Sequence, residues 1–163
     1  MEASGSSTER TPDAAEQRRP GIIVGVDGSE PSIAALRYAT ELGRRLGVGV
    51  HALGVWHYPT MLYGNYYYPE SDITPEEDAR RVVESTVREA LGEDPPEWVT
   101  AGTQKGRPAE VLIERSKEAT MLVLGTRGHG GFAGLLLGSV SRECTAHAHC
   151  PVLVVHGDGT LRG

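Results

Sequence analysis

Only two cysteines, Cys144 and Cys150, stand among the 163 residues. They are too few and too close together for the disulfide framework of a secreted mini-domain. Apolar stretches are short as well, none near the ~18 residues that a membrane helix needs. Residues 1–19 lack the apolar centre of a secretory signal. Lysine and arginine never run beyond two in a row, as at Arg18-Arg19, Arg44-Arg45 and Arg80-Arg81, and the formal net charge is −6. A binder of phosphate backbones needs a basic stripe, so neither nucleic acid nor membrane is an expected partner. These absences leave a soluble, cytoplasmic protein as the expectation.

What is present suits one domain. Hydrophobic residues make up 39% of the chain, enough at this length for a real core. Residues 1–19, rich in Ser, Glu and Arg, read as a disordered tail. Residues 20–157 form the folded domain and 158–163 a C-terminal tail. Gly21 to Asp27 is an apolar run whose length and β-branching predict a strand buried on both faces. Gly28-Ser29-Glu30-Pro31-Ser32 starts a helix capped by Ser29 or Ser32. Its inward stripe is Ala35, Ala39, Leu42 and Leu46, and Gly47 ends it. Val48 to Trp56 is the second strand. Thr74-Pro75-Glu76-Glu77 supplies the cap, the N1 proline and the capping-box glutamate of a second helix, with Ala79, Val83, Val87 and Ala90 on one face.

Trp98 to Ala101 reads as a short third strand, and Arg107-Pro108 opens a third helix with Ala109, Leu112 and Ile113 inward. Met121 to Leu124 is the fourth strand, a fourth helix starts near Gly138, and Val152 to Val155 is the fifth strand. Strands alternating with helices need crossover connections, and therefore a parallel sheet. The expected fold is α/β: an open, doubly wound, mostly parallel five-stranded sheet with helices on both faces.

Such sheets bind ligands outside the carboxyl ends of their strands, where the strand order reverses. The loops so placed follow Asp27, Val55 and Gly125. Asp27 either accepts from a ribose hydroxyl or an exocyclic amine, or caps the first helix. Gly125-Thr126-Arg127-Gly128 closes the fourth strand, and Gly138-Ser139 starts the fourth helix. Glycine there lets backbone approach a ligand and allows positive φ. A helix start gathers N–H groups and partial positive charge. The hydroxyls of Ser139 and Ser141, with the N–H groups of Ser139 and Val140, suit the oxygens of a phosphate. The segment is not a Walker A loop, which needs Gly-x-x-x-x-Gly-Lys-Ser/Thr. Nor is it the dinucleotide fingerprint, whose glycines belong in the first strand–helix turn. Without the lysine or an adjacent base the loop suits holding rather than fast phosphoryl transfer, and no catalytic residue is assigned.

The spacing Gly125-x2-Gly128-x9-Gly138-Ser139 resembles the signature of the ATP-binding branch of the universal stress protein family. The opening strand ending in Asp27, the Gly106-Arg107-Pro108 helix start and the closing Cys150-Pro151-Val152-Leu153-Val154-Val155 agree, so the resemblance covers about residues 20 to 156. It implies a Rossmann-like, adenine-nucleotide alpha-hydrolase-like fold and ATP, with or without Mg2+, as ligand. By this resemblance Gly25, Val26 and Asp27 contact the adenosine, and Val55 packs near the adenine. Gly125, Gly128 and Gly138, with Ser139 and Val140, surround ribose and phosphates. It also implies a homodimer joined through Val152 to Val155. One departure is Leu53-Gly54-Val55-Trp56-His57, where many relatives carry His-Val at Gly54-Val55. The function so implied is a regulatory stress-response module that holds an adenine nucleotide. A slow ATP hydrolase or nucleotidyl-transfer enzyme of the same superfamily, or a nucleotide-free dimeric scaffold, is the alternative.

Three further features have two readings each. Arg127 pairs with a phosphate oxygen or stays in solvent, and His129 has the same choice. Cys144, His147, His149 and Cys150 lie together, but their spacing lacks the longer loop between paired zinc ligands. A buried thiol with histidines at a helix end is the expectation, with no metal. Residues 57 to 72, with Tyr58, Tyr63 and Tyr66-Tyr67-Tyr68, are long for a plain connection and form a functional or subunit-contact loop that stacks an adenine or lines a partner surface, or pack on their own domain.

Overall fold

Ser29 and Thr74 cap the first two helices, and each does so through its hydroxyl. Ser29 accepts from the Ser32 N–H, while Thr74 and Glu77 exchange both bonds of a capping box. The computed structural model describes residues 21–58, 73–128 and 136–157. In chain order they form β1 (Ile22–Gly25), α1 (Glu30–Leu46), β2 (Val50–Trp56), α2 (Pro75–Leu91), β3 (Val99–Lys105), α3 (Pro108–Arg115), β4 (Met121–Gly125), α4 (Ser139–His147) and β5 (Val152–Val155). A single 3-10 turn, Ser116–Glu118, follows α3. The tails proposed at 1–19 and 158–163 and the tyrosine-rich stretch beyond Tyr58 lie outside the described residues.

All four strand pairings are parallel, and the order across the sheet is β3-β2-β1-β4-β5. The fold is therefore the α/β sheet that the alternation of elements predicts. β1 runs through its centre, and Ile22, Ile23 and Val24 are each 0% exposed, so consecutive side chains are buried on opposite faces. On one face Ile22 and Val24 meet Ala35, Ala39 and Val83 of α1 and α2. On the other, Ile23, Leu122 and Leu124 meet Leu112 of α3 and Cys144 of α4. Each large aliphatic side chain so buried contributes about 1.5–3 kcal/mol.

Two elements differ from the sequence reading. β3 continues past Ala101 to Lys105, because β2 pairs with it from Val50↔Val99 through Trp56↔Lys105. That ladder carries the polar Gly102-Thr103-Gln104 segment, which has no apolar pattern of its own. Leu46 is 56% exposed rather than inward. Gly43 is the buried residue of the last turns of α1, and a side chain there would meet Val50 Cγ2 at 2.7 Å. Gly47 then closes the helix in the left-handed conformation at φ 67°.

Candidate functional site

The strand order reverses between β1 and β4, since the chain winds outward from β1 through β2 to β3 and returns to β4. At the carboxyl ends of these two strands lies a cavity of about 310 Å3, near the lower end of ligand pockets. All ten residues proposed from the sequence line it. Gly25, Val26 and Asp27 come from the end of β1, and Val55 from β2. Gly125, Arg127 and Gly128 come from the end of β4, and Gly138, Ser139 and Val140 from the start of α4.

Asp27 both holds the chain and faces the cavity. Its Oδ1 accepts from the Ser29 N–H at 3.0 Å and from the Ser29 hydroxyl at 2.5 Å. Its own N–H donates to Ser32 Oγ at 3.3 Å, and the Ser32 hydroxyl donates to the Ser29 carbonyl at 2.9 Å. The cap of α1 is thus Ser29, and Asp27 fastens that cap to the end of β1.

Of the two causes the sequence suggests for the motif glycines, positive φ does not apply. Positive φ occurs at Gly28, Gly47, Gly92, Gly106 and Gly157, and not at Gly125, Gly128 or Gly138. At Gly125 and Gly128 a close approach within the protein leaves no room for a side chain. A Cβ on Gly125 would lie 2.5 Å from the carbonyl oxygen of Pro31, in the first turn of α1. One on Gly128 would lie 2.3 Å from Asp27 Oδ2. Gly138 is looser, its nearest neighbours being Arg127 Cα at 3.4 Å and Gly128 N at 3.7 Å. Gly54 is also explained, since a side chain there would meet Val83 Cγ2 at 2.4 Å where α2 packs on β2.

No side chain caps α4, whose N-cap is Gly138. The Gly138 N–H donates to the Thr126 carbonyl at 2.7 Å, tying the helix start to the end of β4. The N–H groups of the following turn have no partner within the helix, and Ser139 and Val140 border the cavity. The Ser141 hydroxyl, proposed as a phosphate contact, instead donates to the Gly125 carbonyl at 2.7 Å and is buried. Its role is to hold α4 against β4. Arg127 is exposed on the rim, and His129 lies outside the described residues.

Ser32 and Ser141 also border the cavity, and the rest of its wall is apolar and was not assigned from the sequence. Leu53, Leu124, Pro108 and Leu112 contribute to it, the last two through the first turns of α3. Pro108 and Leu112 are four apart and share a helix face, a spacing visible in the sequence, but nothing local says that the face reaches the β1–β4 crevice. The arrangement offers an apolar end beside Val55 and Leu112 and a polar end at Arg127, Gly128 and the start of α4. It can take a molecule with a flat apolar group and an anionic end.

The cysteine–histidine group is dispersed. Cys144 is 0% exposed in the core, and burial, with Glu143 second, pushes its thiol up to about 11. The His149 N–H donates to Ser116 Oγ at 2.8 Å, and Cys150 is half-buried. Among the described residues no group of three or more His, Cys, Asp or Glu side chains could hold a metal, and no helix is long and apolar enough to cross a membrane.

Comparison with known proteins agrees with this architecture. The model of the universal stress protein family matches residues 20–156. A universal stress protein of Mycobacterium tuberculosis is 35% identical over 150 residues, covering 89% of this chain and 50% of that protein. The chain spans about half the length of the curated relatives it matches. A universal stress protein solved in complex with cAMP superposes with a TM-score of 0.61 at 22% identity, over 84% of this chain and 97% of that one. The Archaeoglobus fulgidus universal stress protein in complex with dAMP gives a TM-score of 0.52 at 21% identity, over 84% and 98%.

Proposed function

As this chain belongs to the universal stress protein family, we propose that it is a regulatory protein that holds an adenine nucleotide, ATP with or without Mg2+, in the crevice between β1 and β4. The observation that carries this reading is the single cavity lined by Asp27, Val55 and the glycine-spaced residues Gly125, Gly128 and Gly138. Its apolar end suits an adenine, and the start of α4 suits phosphate oxygens. Asp27 is the one carboxylate among the described lining residues, and one of its oxygens already serves Ser29. This favours holding over hydrolysis. A held nucleotide regulates only if it binds two states of the protein unequally.

The same reading makes the protein a homodimer joined through β5. That strand is an edge of the sheet, and its Val152-Leu153-Val154-Val155 stretch carries no charge to blunt it. Val154→Lys, at a half-buried position of β5, should yield a monomer by light scattering.

The nucleotide reading is tested by unfolding the protein with and without ATP and magnesium. At ~100 times Kd the ligand should add ~2.7 kcal/mol. An unchanged transition at millimolar ATP would overturn it.

A further inference from the structure

We propose that Ser29 and Gly128 are positioning residues that set the Asp27 carboxylate as an acceptor for one uncharged donor of the bound nucleoside, a ribose hydroxyl or the exocyclic amine. The inference rests on the reading of the crevice as an adenine-nucleotide site. It concerns how that site is made rigid before the ligand arrives.

Asp27 is exposed and lies just beyond the end of β1. An exposed aspartate ordinarily samples several rotamers, and fixing it on binding would cost affinity. Here one oxygen is held by Ser29 and the other lies in space that residue 128 leaves open. Oδ1 takes two hydrogen bonds from Ser29, and Ser29 is itself buried as the N-cap of α1. Ser32, also buried, closes the circuit by accepting the Asp27 N–H and donating to the Ser29 carbonyl. Oδ2 occupies the space that a side chain on residue 128 would fill, since an added Cβ would come within 2.3 Å of it. Gly128 has no positive φ to explain its identity. The room it leaves is taken by the Asp27 carboxylate.

The carboxylate is therefore held at the start of α1 and lies in the room left by Gly128, on the wall of the cavity that the two residues share. An ionised carboxylate offers about four lone-pair sites, so accepting from Ser29 is compatible with accepting from a ligand. Because a charged acceptor discriminates strongly, the aim of the carboxylate becomes a specificity device.

The test compares Kd values by calorimetry for ATP, 2′-deoxy-ATP, 3′-deoxy-ATP and ITP. Wild type, Asp27→Ala, Ser29→Ala, Ser29→Thr and Gly128→Ala are measured. In the wild type one analogue should bind about tenfold or more weaker than ATP, and which one identifies the donor as 2′-hydroxyl, 3′-hydroxyl or amine. Asp27→Ala should bring that ratio to about one. Ser29→Ala and Gly128→Ala should each reduce it several-fold, and Ser29→Thr, which keeps the hydroxyl, should restore it. Loss of the helix cap lowers stability in Ser29→Ala, but a ratio between two ligands on the same folded protein does not follow stability. Wild-type ratios retained in both Ser29→Ala and Gly128→Ala would overturn the proposal. So would ratios near one in a wild type that binds ATP, which would leave the nucleotide reading standing. A wild type that binds no adenine nucleotide overturns both.

Discussion

Alanine at Gly138 should separate ligand binding from folding. The added Cβ would have its nearest neighbours at Arg127 Cα, 3.4 Å, and at Gly128 N and Thr126 O, both 3.7 Å, which is ordinary contact. Gly138 has φ −69° and ψ 169°, a conformation open to any residue. Two small effects on stability then oppose each other. Alanine restricts the unfolded chain and adds about 0.4–1 kcal/mol, while an alanine N-cap is worse than a glycine one by roughly 0.5–1 kcal/mol. The unliganded variant should unfold within about 0.5 kcal/mol of wild type. Binding is another matter. A phosphate oxygen needs an N–H donor at about 2.9 Å, and a methyl group beside the Gly128 amide takes that space. Losing one or two charge-assisted bonds weakens binding by ~100-fold. At an ATP concentration that stabilises wild type by ~2.7 kcal/mol, the variant should gain only ~0.4 kcal/mol. Urea unfolding with and without ATP reads both quantities. Gly125→Ala is the counterpart, because its Cβ would press on the Pro31 carbonyl at 2.5 Å and overpacking costs about 1–3 kcal/mol before any ligand is added. A Gly138→Ala protein that keeps the full ATP gain would refute the assignment of phosphates to the start of α4.

Thr74→Ala removes the hydroxyl that accepts from the Glu77 N–H at 3.2 Å, leaving only the backbone half of the capping box, and should cost about 1 kcal/mol in urea unfolding. His51 has its imidazole held below the ordinary 6.5 by burial and then by the Arg115 charge. Its folded form favours the neutral ring, so its contribution is present above pH 6.5 and is lost as pH falls through the lower folded value. His51→Gln should therefore lose less stability than wild type between about pH 7.5 and 5.5, and an equal loss would exclude His51 as the cause. For Cys144 the sign is reversed. Its thiol rises from 9.0 to about 11, so its contribution is complete below pH 9 and falls away as pH rises towards 11. Iodoacetamide near pH 8 should leave Cys144 unlabelled until denaturant is added, as read by mass spectrometry.

Much of the fold was legible because its causes are local. Ile22, Ile23 and Val24 announce a central strand by being apolar without alternation. Ser29, Thr74 and Gly47 mark helix ends by chemistry that acts within four residues. The polar end of β3 was not legible, because only its pairing with β2 makes Gly102 to Lys105 a strand. Leu46 misled because a helical stripe continues on paper to the last residue of α1, which is exposed.

The candidate site shows the same division at finer grain. Its candidate members were named from the spacing of the glycines and the family resemblance, yet the positive φ expected of those glycines is absent. A sequence cannot say whether a glycine is demanded by φ, by a ligand or by a distant part of the chain. Here the parallel register Ile22↔Met121 and Val24↔Val123 carries the end of β4 alongside the end of β1. It sets Gly125 against Pro31 and Gly128 against Asp27. A slip of one residue in that register would turn every β4 side chain to the opposite face and move Leu122 and Leu124 out of the core they share with Leu112. The packing that buries those leucines is therefore what aims the loop, and the close approach of Gly128 to Asp27 follows from the core rather than from any property of the loop itself.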